Sequence, residues 1–327
     1  LKAQILRMLR ESGGFVSGQQ LCEVLGVSRT AVWKAVNQLK EEGYQVEAVR
    51  NRGYHIVDSP DILTGEELSS TMDAQWAGKK IYYFDEIDST NTRAKQLGEE
   101  GALHGTIVVA EEQSAGRGRR GRAWKSPIGS NIYMSILLRP EDIPPVKAPM
   151  LTLVMGLSTA EGLREYTSLD IQIKWPNDII LEGKKLAGIL TEMSTEVDFI
   201  NYIVIGTGIN VNMKQLPAEV AEKATSLRLE TGRFMRRSEI IAIIMKKFEK
   251  NYQIFMENKD LGQLQEKYNN LLITREKEVR IIGTREEYGG YALGINEKGE
   301  LMVRKSDGAV ETVSSGEVSV RGICGYV

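Results

Sequence analysis

The sequence predicts a multidomain α/β protein: a small helical module with a β-hairpin at the N-terminus, followed by a central domain on a mixed sheet. Three observations predict it. A chain of 327 residues exceeds what one ordinary hydrophobic core serves, so it divides. Apolar spacing is helical near the N-terminus, then alternates between strand-like runs and helices from residue 62 onward. No period of 20–50 residues repeats, which sets repeat architectures aside.

Composition bounds the function. With 42% hydrophobic and 26% charged residues the chain can bury an ordinary globular core. No apolar run approaches the roughly eighteen residues a membrane span needs. The N-terminus has an amphipathic, charged helical pattern rather than that of a secretory signal. Because the sequence opens on Leu1 rather than Met, a trimmed start is expected. Cys22 and Cys324 lie at opposite ends, in neither metal nor disulfide spacing, which suits a reducing cytoplasm. His55 and His104 alone leave little for a His-rich metal centre or a Ser-His-Asp triad. A net charge of −2 means that any polyanion must be held by local patches.

Residues 1–60 form the first domain. Lys2–Arg10 places Ile5, Leu6 and Leu9 at helical spacing, and Gly13-Gly14 ends the helix. Ser17 caps a second helix, with Gln20 completing a capping box and Leu21, Val24 and Leu25 as its buried face. After Gly26-Val27, Ser28 caps a third helix that runs to Glu42 and stops at Gly43. Val32, Val36 and Leu39 must face the core there, which turns Arg29, Thr30, Trp33, Lys34 and Asn37 outward. Two short helices about a glycine turn make a helix-turn-helix, whose second helix enters a major groove. Gln45–Val49 and Tyr54–Val57 then form a hairpin with Arg50 and Arg52 at its tip, a wing suited to phosphate contact. Residues 1–58 carry eight basic and six acidic side chains, so one copy should bind DNA weakly, and an operator needs a dimer. A trihelical protein-binding module is the alternative. Asp58-Ser59-Pro60-Asp61 is the linker.

The central domain spans residues 61–273. Its strands are Ile81–Phe84, Thr106–Ala110, Asn131–Leu138, Ile171–Trp175, Leu186–Glu192 and Tyr202–Ile209. Pro149–Tyr166 and Ser238–Phe255 are helices, the second with Ile240, Ile244, Phe248 and Tyr252 at i+4 spacing.

The most informative stretch is Gly116-Arg117-Gly118-Arg119-Arg120-Gly121-Arg122-Ala123-Trp124. It satisfies G-x-G-x-x-G after a strand, but a dinucleotide fingerprint also needs a helix to open at the third glycine. Trp124, Pro127 and Gly129 follow instead. No H-R-D, D-F-G or Walker A sequence accompanies it. From Gln113 to Arg139 there are six basic residues and no acidic one. Guanidinium forks hold carboxylates and phosphates, and glycines let backbone N–H groups approach an anion. Trp124 adds a surface on which a base can stack. A solvated basic surface is the plainer alternative.

Three further motifs end strands in polar residues. Lys174-Trp175-Pro176-Asn177-Asp178 stops a β-branched strand at a proline. A hairpin through Glu182-Gly183 returns Lys185 beside that end, and Asp178 offers a metal-facing carboxylate. Asp88-Ser89-Thr90-Asn91 caps a helix, and Gly206-Thr207-Gly208-Ile209-Asn210 admits a ligand close to backbone. Each alone also fits an ordinary turn or cap.

These motifs, with Lys185-Leu186-Ala187-Gly188-Ile189-Leu190, resemble those of the biotin–protein ligase family in its bifunctional, repressor-bearing form, over essentially the whole chain. The resemblance implies that Ser89, Thr90, Asn91, Gln113, Arg117, Gly118, Arg119 and Lys185 line a biotin site, with Lys185, Arg117 and Arg119 catalytic. It implies that Arg122, Trp124, Asn177, Asn210 and Arg321 serve ATP or the adenylate. It implies a third domain, 274–327, as a small SH3-like β-barrel: strands Val279–Ile282, Gly290–Ile295 and Leu301–Lys305, closed by Gly316–Gly322.

The chemistry implied is attack of the biotin carboxylate on the ATP α-phosphate, then capture of biotinyl-5′-AMP by a carrier-domain lysine. Neither step needs a protein nucleophile; positioning and electrostatic stabilisation suffice, with Mg²⁺ accompanying ATP. Implied partners are a biotin carboxyl carrier domain, operator DNA and, with adenylate bound, a second copy of the chain, all in the cytoplasm. The competing readings are a ligand-sensing repressor without catalysis and a lipoate ligase.

Overall fold

The computed structural model describes residues 1–283, 287–315 and 319–322. Helices α1 (Lys2–Ser12), α2 (Gly18–Leu25) and α3 (Arg29–Glu41) precede a hairpin of β1 (Gln45–Val49) and β2 (Gly53–Asp58). The Ser17 and Ser28 side chains accept hydrogen bonds from Gln20 N and Ala31 N, the caps that their positions predict. Ile5, Leu6, Leu9, Leu21, Val32, Val36 and Leu39 make the module's own core.

Val24 departs from expectation: it is 65% exposed. The inward face of α2 is set by Leu21, Cys22 and Leu25. At about 100° per residue, Val24 lies roughly a third of a turn outside that face.

The predicted linker is not a free tether. Asp58 pairs with Arg236, and Asp61 accepts from Arg237 Nε at 2.8 Å. Arg237, 1% exposed, also pairs with Glu111 at 2.6 Å. A second buried group, Glu67 on α4 (Gly65–Thr71), accepts from Arg10, from Tyr44 Oη at 2.6 Å and from Ser238 Oγ at 2.9 Å. Side chains of the N-terminal module and of the central domain thus meet on one carboxylate. Buried charges persist only when compensated in this way.

The central sheet has seven strands: β3 (Ile81–Ile87), β4 (Thr106–Gln113), β5 (Ile132–Leu138), β6 (Gln172–Lys174), β7 (Asp178–Leu181), β8 (Lys184–Thr195) and β9 (Ile200–Ile209). Their order is β3-β4-β5-β9-β8-β7-β6, with β3–β4 parallel and the other pairs antiparallel. Helix α5 (Thr90–Glu99) makes the β3–β4 crossover and covers one face through Val108, Leu137 and Val204. On the other face lies α6 (Met150–Thr167), backed by α8 (Arg237–Asn258). At Gly162 an added Cβ would lie 2.8 Å from Ile244 Cγ1 and 3.1 Å from its Cα, so these helices approach as closely as glycine permits.

Helices α7 (Leu227–Thr231) and α9 (Gly262–Leu271) precede a C-terminal antiparallel sheet. Its strands are β10 (Lys277–Ile282), β11 (Glu287–Ile295), β12 (Leu301–Arg304), β13 (Val310–Val313) and β14 (Ser319–Gly322), in the order β13-β12-β11-β10-β14. Among the described residues β13 and β14 are edges, so the sheet is open rather than a closed barrel. Of the predicted closing segment Gly316–Gly322, residues 316–318 lie outside the described residues, as does Cys324.

Candidate functional site

A cavity of about 310 Å³ opens where the polar strand ends converge. It is lined by Ser89, Thr90 and Asn91 from the start of α5, by Gln113 at the end of β4, and by Arg117, Gly118, Arg119, Arg122 and Trp124 of the loop. Asn177, Asp178, Lys185, Asn210 and Arg321 complete it, so every residue expected at a ligand site meets in one place. Eight cations (Arg117, Arg119, Arg120, Arg122, Lys125, Lys174, Lys185 and Arg321) face one carboxylate, Asp178, among the described residues. That balance suits a polyanion.

Local geometry explains how each group is held. Ser89 is the N-cap of α5. Thr90 N and Oγ1 donate to Gln113 Oε1 at 2.9 and 3.1 Å, and Gln113 Nε2 donates to Ser126 Oγ at 3.1 Å. Asn91 Nδ2 donates to Glu192 Oε2 at 2.7 Å, while its Oδ1 accepts from Ser135 Oγ at 2.6 Å.

The glycines of β9 serve a purpose other than the one expected. A Cβ at Gly206 would stand 2.1 Å from Asn91 Oδ1, and one at Gly208 would stand 2.7 Å from Trp124 Cε2. Protein side chains fill the room over both glycines, which therefore seat Asn91 and Trp124 rather than opening backbone to a ligand.

The arginine loop is a short finger. Gly118 N donates to Arg122 O at 2.7 Å and Trp124 N to Gly116 O at 2.9 Å, around a single 3₁₀ turn at Arg119–Gly121. No α-helix opens after Gly121, so the finger is unlike a dinucleotide loop. Arg119 bridges three parts of the chain: Nη1 donates to Asn177 Oδ1 at 2.9 Å and Nη2 to Ser315 O at 2.8 Å. Burial lowers its pKa from the ordinary arginine value.

The β7–β8 turn has Glu182 at φ 49° and Gly183 at φ 72°. Two consecutive positive φ values define the tight hairpin turn that matches sheet twist. The result places Lys185 Nζ 2.6 Å from Asp178 Oδ1 and 5.5 Å from the Trp124 ring centroid. Asp178, a candidate metal ligand by sequence, thus pairs with Lys185. Trp124 Nε1 is buried and has no hydrogen-bond partner among the described residues. Asn177 Nδ2 donates to Ile189 O at 3.0 Å and Asn210 Nδ2 to Thr225 O at 2.9 Å, which fixes both amides at the rim.

On the N-terminal module, Arg29, Thr30 and Lys34 are exposed on α3 and Asn37 is half-buried. Trp33 is 57% exposed, although large aromatics normally bury. Arg50 and Arg52 stand exposed at the hairpin tip, with the Arg52 guanidinium 4.3 Å from the Phe15 ring centroid.

Comparison with known proteins decides the family. The chain is 38% identical over 320 residues to the bifunctional ligase/repressor BirA of Bacillus subtilis, covering 96% of this chain and 97% of the relative. The chain belongs to the biotin/lipoate protein ligase family. Its profile, described as the Biotin/lipoate A/B protein ligase family, matches residues 83–210, flanked by an HTH domain at 2–55 and a biotin protein ligase C-terminal domain at 275–321. The Escherichia coli bifunctional ligase/repressor BirA is 33% identical over 314 residues, covering 96% of this chain and 95% of that protein. A solved biotin protein ligase from Aquifex aeolicus in complex with biotin and ATP is similar with a TM-score of 0.66 at 34% identity, covering 75% of this chain and 99% of that one.

Within this ligase-family chain Lys174, read only as part of the motif that ends its strand, lines the cavity as well. Lys174 is only 6% exposed at the end of β6, and burial pushes its pKa down to about 8 against the opposing field of Asp178. A lysine at the end of a strand, directly before Trp175-Pro176, was the available signal. Among the described residues no helix is long and apolar enough to cross a membrane.

Proposed function

We propose that this protein is an ATP-dependent biotin–protein ligase and a biotinyl-AMP-responsive repressor. The ligase makes biotinyl-5′-AMP and transfers biotin to a lysine of a carboxylase carrier domain. The observation that carries this reading is the cavity itself, where eight cations, one carboxylate and a buried indole N–H gather from separate strand ends.

Within it, Ser89, Thr90, Asn91, Gln113 and Gly118 hold biotin, with Arg117 and Arg119 over its carboxylate. Trp124, Arg122, Asn177, Asn210 and Arg321 hold the nucleotide. Lys185 exchanges Asp178 for the two anions that must meet, the biotin carboxylate and the α-phosphate. Attack by the carboxylate oxygen forms the C–O–P bond and releases pyrophosphate. Lys174 adds charge at the phosphates. Catalysis is positioning and charge stabilisation, with no covalent enzyme intermediate. Mg²⁺ supplies charge neutralisation on ATP. Asp178, the one carboxylate lining the cavity among the described residues, is the side chain that would hold Mg²⁺ beside the phosphates.

The domains are 1–60, 61–273 and 274–327, the last of SH3-like type. Arg29, Thr30, Trp33, Lys34 and Asn37 read the major groove while Arg50 and Arg52 hold the backbone, from a dimer formed with adenylate bound in the cytoplasm. Biotin-dependent ATP–pyrophosphate exchange tests the enzyme: exchange with biotin is expected, and its absence, or equal exchange with lipoate, would sink the assignment. A gel shift with and without biotinyl-AMP tests the switch; equal DNA binding in both would remove it.

A further inference from the structure

A second, smaller hollow lies on the far side of the Pro176-Asn177 turn. Its volume is about 80 Å³, between that turn, Thr152 near the start of α6, Thr191 on β8, and Ser315. Arg119, Pro176, Asn177, Ile189 and Leu190 also line the main cavity. The Arg119 guanidinium, bonded to Asn177 Oδ1 on one side and Ser315 O on the other, is a shared wall between the two spaces.

Transfer chemistry needs a second approach of this kind. Once biotinyl-AMP is formed, the acid chain and the nucleotide occupy the main cavity, and an incoming amine must reach the acyl carbon from a side that neither fills. We infer that the small hollow is the entry channel for the aminoalkyl side chain of the acceptor lysine. The inference rests on the ligase reading above.

Size and lining both fit that ligand. The hollow accepts one unbranched chain and is too small for a nucleotide or a folded segment. Pro176, Ile189 and Leu190 offer apolar wall to methylenes. Thr152 and Thr191, whose hydroxyls lie 2.7 Å apart, and the Ser315 carbonyl offer oxygen acceptors to an amine that has left water.

Charge favours the reactive form as well. A lysine entering here is desolvated and stands beside a guanidinium, and both effects stabilise the neutral amine over the ammonium. The neutral nitrogen attacks the acyl carbon, forming the N–C bond. The C–O bond to phosphate breaks, its electron pair leaves with AMP, and the surplus proton passes to solvent.

The test separates the two half-reactions. Thr152→Leu fills the hollow without touching the main cavity, and Thr152→Ser keeps the hydroxyl. Three rates are measured on the full chain: biotin-dependent pyrophosphate exchange, transfer to a biotin carboxyl carrier domain, and hydroxamate formation when hydroxylamine traps the adenylate. Thr152→Leu is expected to lower kcat/KM for the carrier about tenfold, with exchange and trapping within about twofold of wild type. Thr152→Ser is expected to keep all three. If Thr152→Leu does not fold, Thr191→Leu gives the same split from the opposite wall. Carrier transfer at the wild-type rate, or a parallel fall in all three rates, would overturn the channel. Wild-type protein without biotin-dependent exchange would instead sink the ligase reading, and the channel with it.

Discussion

The N-terminal module and the cavity present function in opposite ways. On α3 the relevant side chains are consecutive turns of one helix, exposed together because Val32, Val36 and Leu39 fix the buried side. In the cavity they come from α5, β4, a loop, a β-turn, two further strand ends and β14, and meet only because the sheet order brings those ends together. A surface of the first kind is read from periodicity. The second kind depends on long-range pairing and shows in sequence only as polar residues where strands should end.

The contrast is testable, beginning where the two regions join. Arg237→Ala would leave Asp61 and Glu111 buried without their partner. A loss of about 3–5 kcal/mol is expected from urea unfolding; a change below about 1 kcal/mol would mean that anchoring the end of the linker adds little to the fold. Next comes the cavity's central cation. Lys185→Ala should cost about 10²–10³ in pyrophosphate exchange with unaltered DNA binding by the module. A wild-type rate would remove Lys185 from the chemistry.

The module's surface should respond more gently. Arg52→Ala should reduce operator affinity uniformly across sequences and lower the salt slope by about 1, while leaving exchange untouched. An unchanged slope would take the wing off the phosphates. The smallest effect is a pH dependence in the cavity. Lys174 is cationic at neutral pH and loses its proton as pH rises through about 8, so ATP affinity should decline above that point. The unfolded chain keeps that proton up to the ordinary value of 10.5, so this residue's contribution to stability grows over the same rise. Lys174→Gln should flatten both trends in titrations of ATP affinity and of unfolding; their persistence would assign them to another group.

Much of this was legible beforehand, for physical reasons. The caps at Ser17 and Ser28, the Glu182-Gly183 hairpin and six of the seven strands of the central sheet follow from local chemistry. Val24 was misjudged because Leu21, Val24 and Leu25 span about the same 100° of helix as Leu21, Cys22 and Leu25, and spacing alone does not tell which flank turns inward. The roles of Gly206 and Gly208 were invisible because Asn91 and Trp124, the side chains they seat, lie more than eighty residues away. Strand β7 and helices α4 and α7 are too short to show a period. The ion cluster around Arg237 joins three distant segments, and no local pattern announces it.

Glu67 has a consequence for how the molecule comes apart. Its carboxylate is buried, held by the half-buried Arg10 and by Tyr44 from one side and by Ser238 from the other. Separating the module would strand that charge, so the first sixty residues and the start of α8 should melt in one cooperative step. Slow amide exchange in α1 would then track that in α8.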